Sequence, residues 1–295
     1  MKTIGFIGLG AMGTPMACNL LAKGFAVRGF DVRAESVAAL AAAGGTACAS
    51  AAEAAKDADA LMLMVVNIAQ AEQVLFADGA AKALPADAVV ILTATCPPGA
   101  VAALDARVRA VGRRFIDSPV SGGTAGAKAA TLTVMAAAPD ATFGVVKPVL
   151  EAVGDKIFHV GERPGQGAVV KTVNQLLCGV HIAVVAEAFS LAAKVGVDAH
   201  IMLDVLSGSS ASSWMLKDRS PRMLQADPEV TSAVDIFVKD LGIVLEAGRE
   251  TKAALPLAAV AHQLFLATSG RGDGAADDSQ VIRTYHAMNG TSPPQ

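Results

Sequence analysis

Three groups of residues in this 295-residue chain have types and spacing that could do chemistry. The first is Gly8-Leu9-Gly10-Ala11-Met12-Gly13, directly after the apolar run 3–7. That spacing suits a dinucleotide. One glycine makes a tight turn, one lets the backbone approach a pyrophosphate, one lets the next helix pack closely, and helix N-terminal amides face the phosphates. Asp31 stands at the end of the next strand-like run, 23 residues after Gly8. A carboxylate there accepts hydrogen bonds from ribose hydroxyls and repels a 2′-phosphate, which predicts NAD over NADP, with Arg33 as the nearby residue that could favour the phosphate. The second group is Ser121-Gly122-Gly123, where backbone N–H groups and a hydroxyl could hold a carboxylate; a plain surface turn has the same composition. The third is Lys171, which shares the stretch 168–193 with only one other formally charged residue, Glu187. Burial disfavours the ammonium form, so this lysine could act as a general base, against the alternative of a solvated surface cation. Asn174 and Gln175, at i+3 and i+4, share its helix face and could bond a substrate or orient the lysine.

These groups need a scaffold, and the hydrophobic pattern supplies one. Strands are expected at 3–7, 26–30, 60–66, 88–93, 114–116 and 156–160, alternating with alanine-rich helices at 12–23, 33–43, 51–55, 69–76, 99–111 and 141–153. Runs apolar on both faces, such as 60–66, belong to buried parallel strands. The fold class is therefore α/β: an N-terminal Rossmann-like doubly wound sheet followed by an all-α C-terminal domain that begins with a long helix near 165–194. Segment 131–138 is a candidate antiparallel addition. The division expected is 1–162 for an NAD-binding domain and 163–295 for a helical substrate and oligomerisation domain. The tail 291–295 is expected to fray.

Composition narrows the function. Hydrophobic residues make up 53% and charged residues 17%, against about 25% charged in an average domain, so a large core is available. Mean hydropathy is +0.47, yet the sequence shows no uninterrupted apolar run of the ~18 residues a spanning helix needs, so no membrane partner is expected. A net charge of −3 without a basic cluster argues against nucleic acid. Cys18, Cys48, Cys96 and Cys178 show no metal spacing, nor do the five histidines, so no metal is expected, and reduced thiols fit a cytoplasmic protein. Nothing at the amino terminus reads as a leader for export.

Several segments carry a family resemblance. FIGLGAMGTPMACNL (6–20), DSPVSGG (117–123), GQGAVVKTVNQ (165–175) and IFVKD (236–240) occur in the order found in the β-hydroxyacid dehydrogenases, the family of 3-hydroxyisobutyrate dehydrogenase, and span nearly the whole chain. The resemblance implies Lys171 as catalytic base, Ser121, Gly122, Gly123, Asn174 and Gln175 as substrate contacts, and Gly8 to Gly13, Asp31, Val66, Asn67, Thr95, Phe237 and Lys239 as NAD contacts, with Asp240 anchoring the helix nearby. Without the resemblance, Lys239 and Asp240 read as an exposed ion pair, worth little in stability. The family usually has asparagine where this chain has Gln175. That departure, with 65–76, 174–183, 213–215, 234–242 and 277–282, resembles the branch that oxidises L-threonate to 2-oxo-tetronate. Related activities are 3-hydroxyisobutyrate oxidation and tartronate semialdehyde or glyoxylate reduction; a non-catalytic dinucleotide scaffold is the reading from another class. A homodimer or homotetramer is expected from the nearly uncharged long helix.

Overall fold

The computed structural model describes residues 1–292. It divides into two compact units, Met1–Lys171 and Thr172–Gln295. The first contains β1 (Thr3–Ile7), α1 (Gly13–Ala22), β2 (Ala26–Phe30), α2 (Ala34–Ala42), β3 (Thr46–Ala47), α3 (Ala51–Ala55), β4 (Ala60–Leu63) and α4 (Ile68–Glu72), which runs on as a π-helical turn. It continues with α5 (Ala80–Ala83), β5 (Val89–Leu92), α6 (Pro98–Ala110), β6 (Arg114–Asp117), β7 (Val120–Ser121), α7 (Gly123–Ala129), β8 (Leu132–Ala137), α8 (Asp140–Leu150) and β9 (Gly154–Gly161). Helix α9 (Gln166–Lys194) leads into the second unit, which adds α10 (Ala199–Gly208), α11 (Trp214–Met223), α12 (Val234–Thr251), α13 (Pro256–Thr268), a 3₁₀ turn (Asp278–Val281) and α14 (Ile282–Asn289).

The strands form one sheet in the order β3-β2-β1-β4-β5-β6-β8-β7, with β9 beside β8. Pairing is parallel from β3 through β6. Strand β8 then runs antiparallel to β6 and β7 and parallel to β9, so the antiparallel reading of 131–138 is correct for two of its three partners. Alternation along β4 and β5 explains the two covered faces. Ala60, Met62, Val89 and Ile91 enter one apolar cluster, with Leu20 and Leu150. Leu61, Leu63, Val90 and Leu92 enter the other, with Ala54, Leu75 and Leu104. Small alanines let helices approach the sheet closely, which is where much of the alanine excess goes.

Four short elements escape the sequence pattern: β3, β7, α5 and α7. Helix α7 is the consequential one, because GTAGAKA has no apolar period yet Gly123 opens it. The expectation of no helix fit to cross a membrane also needs correction: α9 is long and apolar enough by length and composition. A window average tolerates the isolated polar residues that break a strict run. Half of its most apolar window is buried inside the fold; Ile182, Ala186 and Phe189 lie in the core of the second unit with Leu241, Phe265 and Tyr285. The expected fraying does not begin at Thr291, whose N–H donates to the His286 carbonyl and whose hydroxyl meets His286 Nδ1 at 2.8 Å. Residues 293–295 lie outside the described residues.

Candidate active site

The glycines after β1 have different reasons to be glycine. Gly8 has φ +91°, and a Cβ there would fall on the Met64 carbonyl; a Cβ on Gly13 would fall on the Gly8 carbonyl oxygen. Both permit close packing of backbone on backbone. Gly10 differs: a Cβ there would meet only the tip of Arg33, at 3.4 Å. The space over Gly10 is therefore open, as a cradle for a pyrophosphate requires, and α1 begins three residues later with its first N–H groups orphaned by helix geometry. Ala11 is exposed and Met12 half-buried beside it. The residues present fit a dinucleotide.

Asp31 is tied into this loop. Its Oδ2 accepts from Leu9 N–H at 2.7 Å, and its Oδ1 accepts from Arg33 N–H at 2.9 Å and Arg33 Nε at 3.3 Å. Burial works against its charge, but the Arg33 and Leu9 bonds prevail and hold the carboxyl below the usual range. Leu9 itself is buried, with its carbonyl taking the Thr14 hydroxyl. Val66 and Asn67 open α4 in a reciprocal cap: Asn67 Oδ1 accepts from Gln70 N–H, and Val66 N–H donates to Gln70 Oε1, both at 2.9 Å. Thr95 is half-buried two residues after Thr93, whose hydroxyl bonds the Leu63 carbonyl.

The Ser121 loop and the start of α9 belong to the same unit, and a carboxylate on the strand before the loop bonds the start of α9. Asp117 ends β6, paired with Leu92 of β5 and Ala137 of β8. Its side chain is fully buried, and Oδ2 accepts from Gly165 N–H at 2.9 Å and Ala168 N–H at 2.8 Å. Lys171 follows one turn later, only 6% exposed. On the other side of Asp117 the chain runs through β7 into Gly122 and Gly123, with φ +129° and +61°. Burial pushes the Asp117 carboxyl from 3.8 up to about 7, although the N–H groups of Ala168, Gly165 and Gly167 oppose it. Between those values the folded chain holds a proton that the unfolded chain releases, so the stability contributed by this group falls as pH rises. The difference in Tm between the wild type and Asp117→Asn is accordingly expected to move against the wild type from about pH 4 to about pH 7. A pH-independent difference, measured by thermal unfolding, would contradict the assignment.

The second unit holds a chain of polar groups. Asn174 Nδ2 donates to Gln175 Oε1 at 2.9 Å and to Cys178 Sγ at 3.3 Å. Gln175 Nε2 donates to Asp240 Oδ2 at 2.5 Å, and Lys239 Nζ lies 2.6 Å from Asp240 Oδ1. The Lys239–Asp240 pair is thus no exposed surface pair: Asp240 is 2% exposed. Its position follows from close helix packing, since the missing side chain of Gly179 makes room for Leu241 of α12. Phe237 is on α12 with Lys239. It is stacked on Phe265 in the core, centroids 5.2 Å apart, so its ring is used for packing. Sequence reasoning missed the docking role of Asp117. Its signal is an aspartate closing a buried strand with glycines at 165 and 167, but the bond spans 48 residues.

A glycine cradle with its aspartate on a parallel sheet, followed by a helical unit, is the arrangement of a dinucleotide-binding oxidoreductase. Comparison with known proteins identifies the family. Residues 3–161 match the NAD binding domain of 6-phosphogluconate dehydrogenase, and residues 165–285 the NAD-binding family of NADP-dependent 3-hydroxyisobutyrate dehydrogenase. The chain is 45% identical over 285 residues to L-threonate dehydrogenase of Cupriavidus necator, covering 96% of each. It is 38% identical over 291 residues to 2-(hydroxymethyl)glutarate dehydrogenase of Eubacterium barkeri, covering 98% of this chain and 96% of the relative. The crystal structure of 3-hydroxyisobutyrate dehydrogenase from Salmonella typhimurium superposes with a TM-score of 0.92 at 40% identity, covering 96% and 99%. The chain belongs to the 3-hydroxyisobutyrate dehydrogenase-related family of NAD-dependent hydroxy-acid dehydrogenases.

Proposed function

We propose that the protein oxidises L-threonate at C2 to 2-oxo-tetronate, with NAD as cofactor. The observation that carries this reading is the polar chain Asn174–Gln175–Asp240 beginning one turn beyond buried Lys171. A polyol acid needs several fixed polar groups, and a longer amide held by a carboxylate suits a different hydroxyl arrangement from the family's usual asparagine. The Cupriavidus necator relative supports the same substrate. In this reading Ser121, Gly122 and Gly123 hold the carboxylate, and Asn174 and Gln175 bond the hydroxyls. Lys171 Nζ, in its neutral form, takes the C2 hydroxyl proton as the C2–H bond breaks and the C2–O bond becomes a carbonyl. Bound NAD supplies the hydride acceptor. The glycine loop 8–13, Asp31, Val66, Asn67, Thr95 and Lys239 are the residues proposed to hold it. A panel of three- and four-carbon hydroxy acids, followed by absorbance of reduced cofactor, tests the substrate. The highest kcat/KM is expected with L-threonate; a preference for 3-hydroxyisobutyrate or 2-(hydroxymethyl)glutarate would replace it.

Asp31 also supports NAD over NADP, because Arg33 is already engaged with Asp31 and with the Leu9 carbonyl at 3.4 Å. A 2′-phosphate would face the Asp31 carboxylate, and like-charge juxtaposition costs several kcal/mol, so kcat/KM is expected to favour NAD by roughly 10²-fold. Asp31→Ser should narrow that ratio; an unchanged ratio would show that selectivity lies elsewhere.

We also infer a homodimer or homotetramer in the cytoplasm. Val173, Leu177, Val184 and Leu191 are exposed at helical spacing on α9, a face that suits a second copy of the chain. Cys18 and Cys48 are free thiols, as in a reducing compartment. Light scattering on the purified protein should give a multiple of the 29.7 kDa chain; a monomer at micromolar concentration would remove that part of the proposal.

A further inference from the structure

A fully buried carboxylate outside the roles assigned above holds together the two parts of the first unit that the proposed chemistry uses. We propose that Asp117 is a positioning residue for the dehydrogenase: its carboxylate docks the first turn of α9 onto the strand that leads to the Ser121 loop, and so fixes Lys171 against that loop. The inference rests on the reading of Lys171 as base and Ser121 to Gly123 as carboxylate site.

The geometry is specific to that task. The backbone of Asp117 is fixed from both sides by Leu92 of β5 and Ala137 of β8. Oδ2 alone collects the N–H groups of Gly165 and Ala168, one on each side of the start of α9. The helix can come this close because Gly165 has φ +99° and because Gly167 has no side chain; a Cβ on Gly167 would meet the Met135 carbonyl and lie 3.0 Å from Asp117 Oδ2. Ser121 is four positions after Asp117 along the chain, and Lys171 is four positions after Gly167, about one helical turn. A displacement at the dock is therefore passed directly to the lysine.

The other oxygen argues that the carboxylate is kept for something other than stability. Oδ1 is buried and has no hydrogen-bond partner among the described residues. A half-satisfied buried charge is costly, and such costs concentrate where geometry must be held for function. Bonds from N–H to a charged oxygen are roughly twice as strong as those to a neutral one, so ionisation tightens the dock. The neighbouring residues Leu92, Met135, Ala137 and Gly165 to Ala168 bring no charged side chain; the next titratable groups along the adjoining segments are Arg163 and Glu162 before Gly165, Lys171 on α9, Arg114 on β6, Asp140 after β8 and Cys96 after β5.

Three variants in the full-length enzyme test the proposal. Asp117→Ala is expected to lower kcat for the hydroxy acid by about 10²-fold, the loss that a misplacement near 1 Å produces, with NAD affinity within about threefold of wild type. Asp117→Asn keeps an oxygen for the two N–H groups, so about tenfold loss is expected. It should also erase one ionisation from the acid limb of the kcat/KM profile, near the value of about 7 for this carboxyl. If Asp117→Ala does not fold, the pH profile of Asp117→Asn decides. Hydrogen exchange of the 165–171 amides should speed up in either variant. Lys171→Ala, with exchange there unchanged, tests the base separately: a wild type inactive on every hydroxy acid defeats that reading, while exchange still reports on the dock. Full kcat in Asp117→Ala, equal loss of NAD affinity and kcat, an unaltered acid limb in Asp117→Asn, or unchanged exchange would overturn the proposal.

Discussion

Lys171→Ala is expected to lower turnover of the hydroxy acid by about 10²–10⁴-fold, the usual contribution of a positioned general base, with NAD affinity nearly unchanged. The reasons are local. Lys171 is buried, in a helix whose neighbouring residues are almost all uncharged, and its first turn is held by Asp117 against β6. A base that works only as the C2 hydroxyl loses its proton is felt in the transition state and little in the ground state. Its loss should therefore reduce kcat and kcat/KM together and leave KM for the acid close to wild type. Lys171→Arg separates proton transfer from charge. Arginine can supply a positive charge at this position but stays protonated throughout the accessible pH range and cannot act as a base, so it should be nearly as inactive as alanine. A Lys171→Arg enzyme with most of its kcat would show that a fixed positive charge suffices and that Lys171 is not the base, and Lys171→Ala at near wild-type rate would remove Lys171 from the chemistry altogether.

What the sequence discloses, and what it hides, divides along the distance between interacting residues. The strands and helices of the sheet are legible because their signals are local: β4 reads as buried from its own apolar residues, and Gly8, Gly10 and Gly13 stand in one six-residue window. Lys171 is legible because a lone cation in an apolar stretch contrasts with its neighbours. The connections that give these residues their setting are not local. Asp117 reaches α9 across 48 residues and Gln175 reaches Asp240 across 65, and no periodicity encodes either pairing. Helix α7 is hidden for another reason: seven residues that include two glycines and three alanines have no apolar face, and the helix is fixed by tertiary bonds such as Asn19 Nδ2 to the Ala127 carbonyl. The reading of Lys239 and Asp240 as a surface pair failed on burial alone, because adjacent charges look solvated until Gly179 brings the two helices together.

The other large effect is expected in the helical unit, at a buried ion network that the sequence shows only as scattered charges. Asp278, fully buried, accepts from Arg219 Nε at 2.7 Å and Nη2 at 2.9 Å, and Arg219 Nη1 also bonds Asp218. Arg222 bonds Asp218 and Asp277, each at 3.0 Å, and Asp277 takes the N–H and hydroxyl of Thr231. The network thereby clamps α11, the segment 224–233 and the 3₁₀ turn at Asp278–Val281. Burial pushes the Asp278 carboxyl up to about 6 even against the pull of Arg219, a sign that desolvation offsets much of the attraction. The pair as a whole should then add little net stability, whereas breaking it leaves a buried guanidinium with Asp218 as its one remaining carboxylate partner. Asp278→Leu alone is expected to cost about 3–5 kcal/mol, a fall in Tm of roughly 6–20 °C at this size. The pair replacement Arg219→Met with Asp278→Leu should recover most of that loss, because no unpaired charge remains. Differential scanning calorimetry checks the cycle, and the single tryptophan, Trp214 at the start of α11, offers a fluorescence probe beside the network. A double variant no more stable than either single one would mean that packing around these side chains, and not the stranded charge, determines the cost.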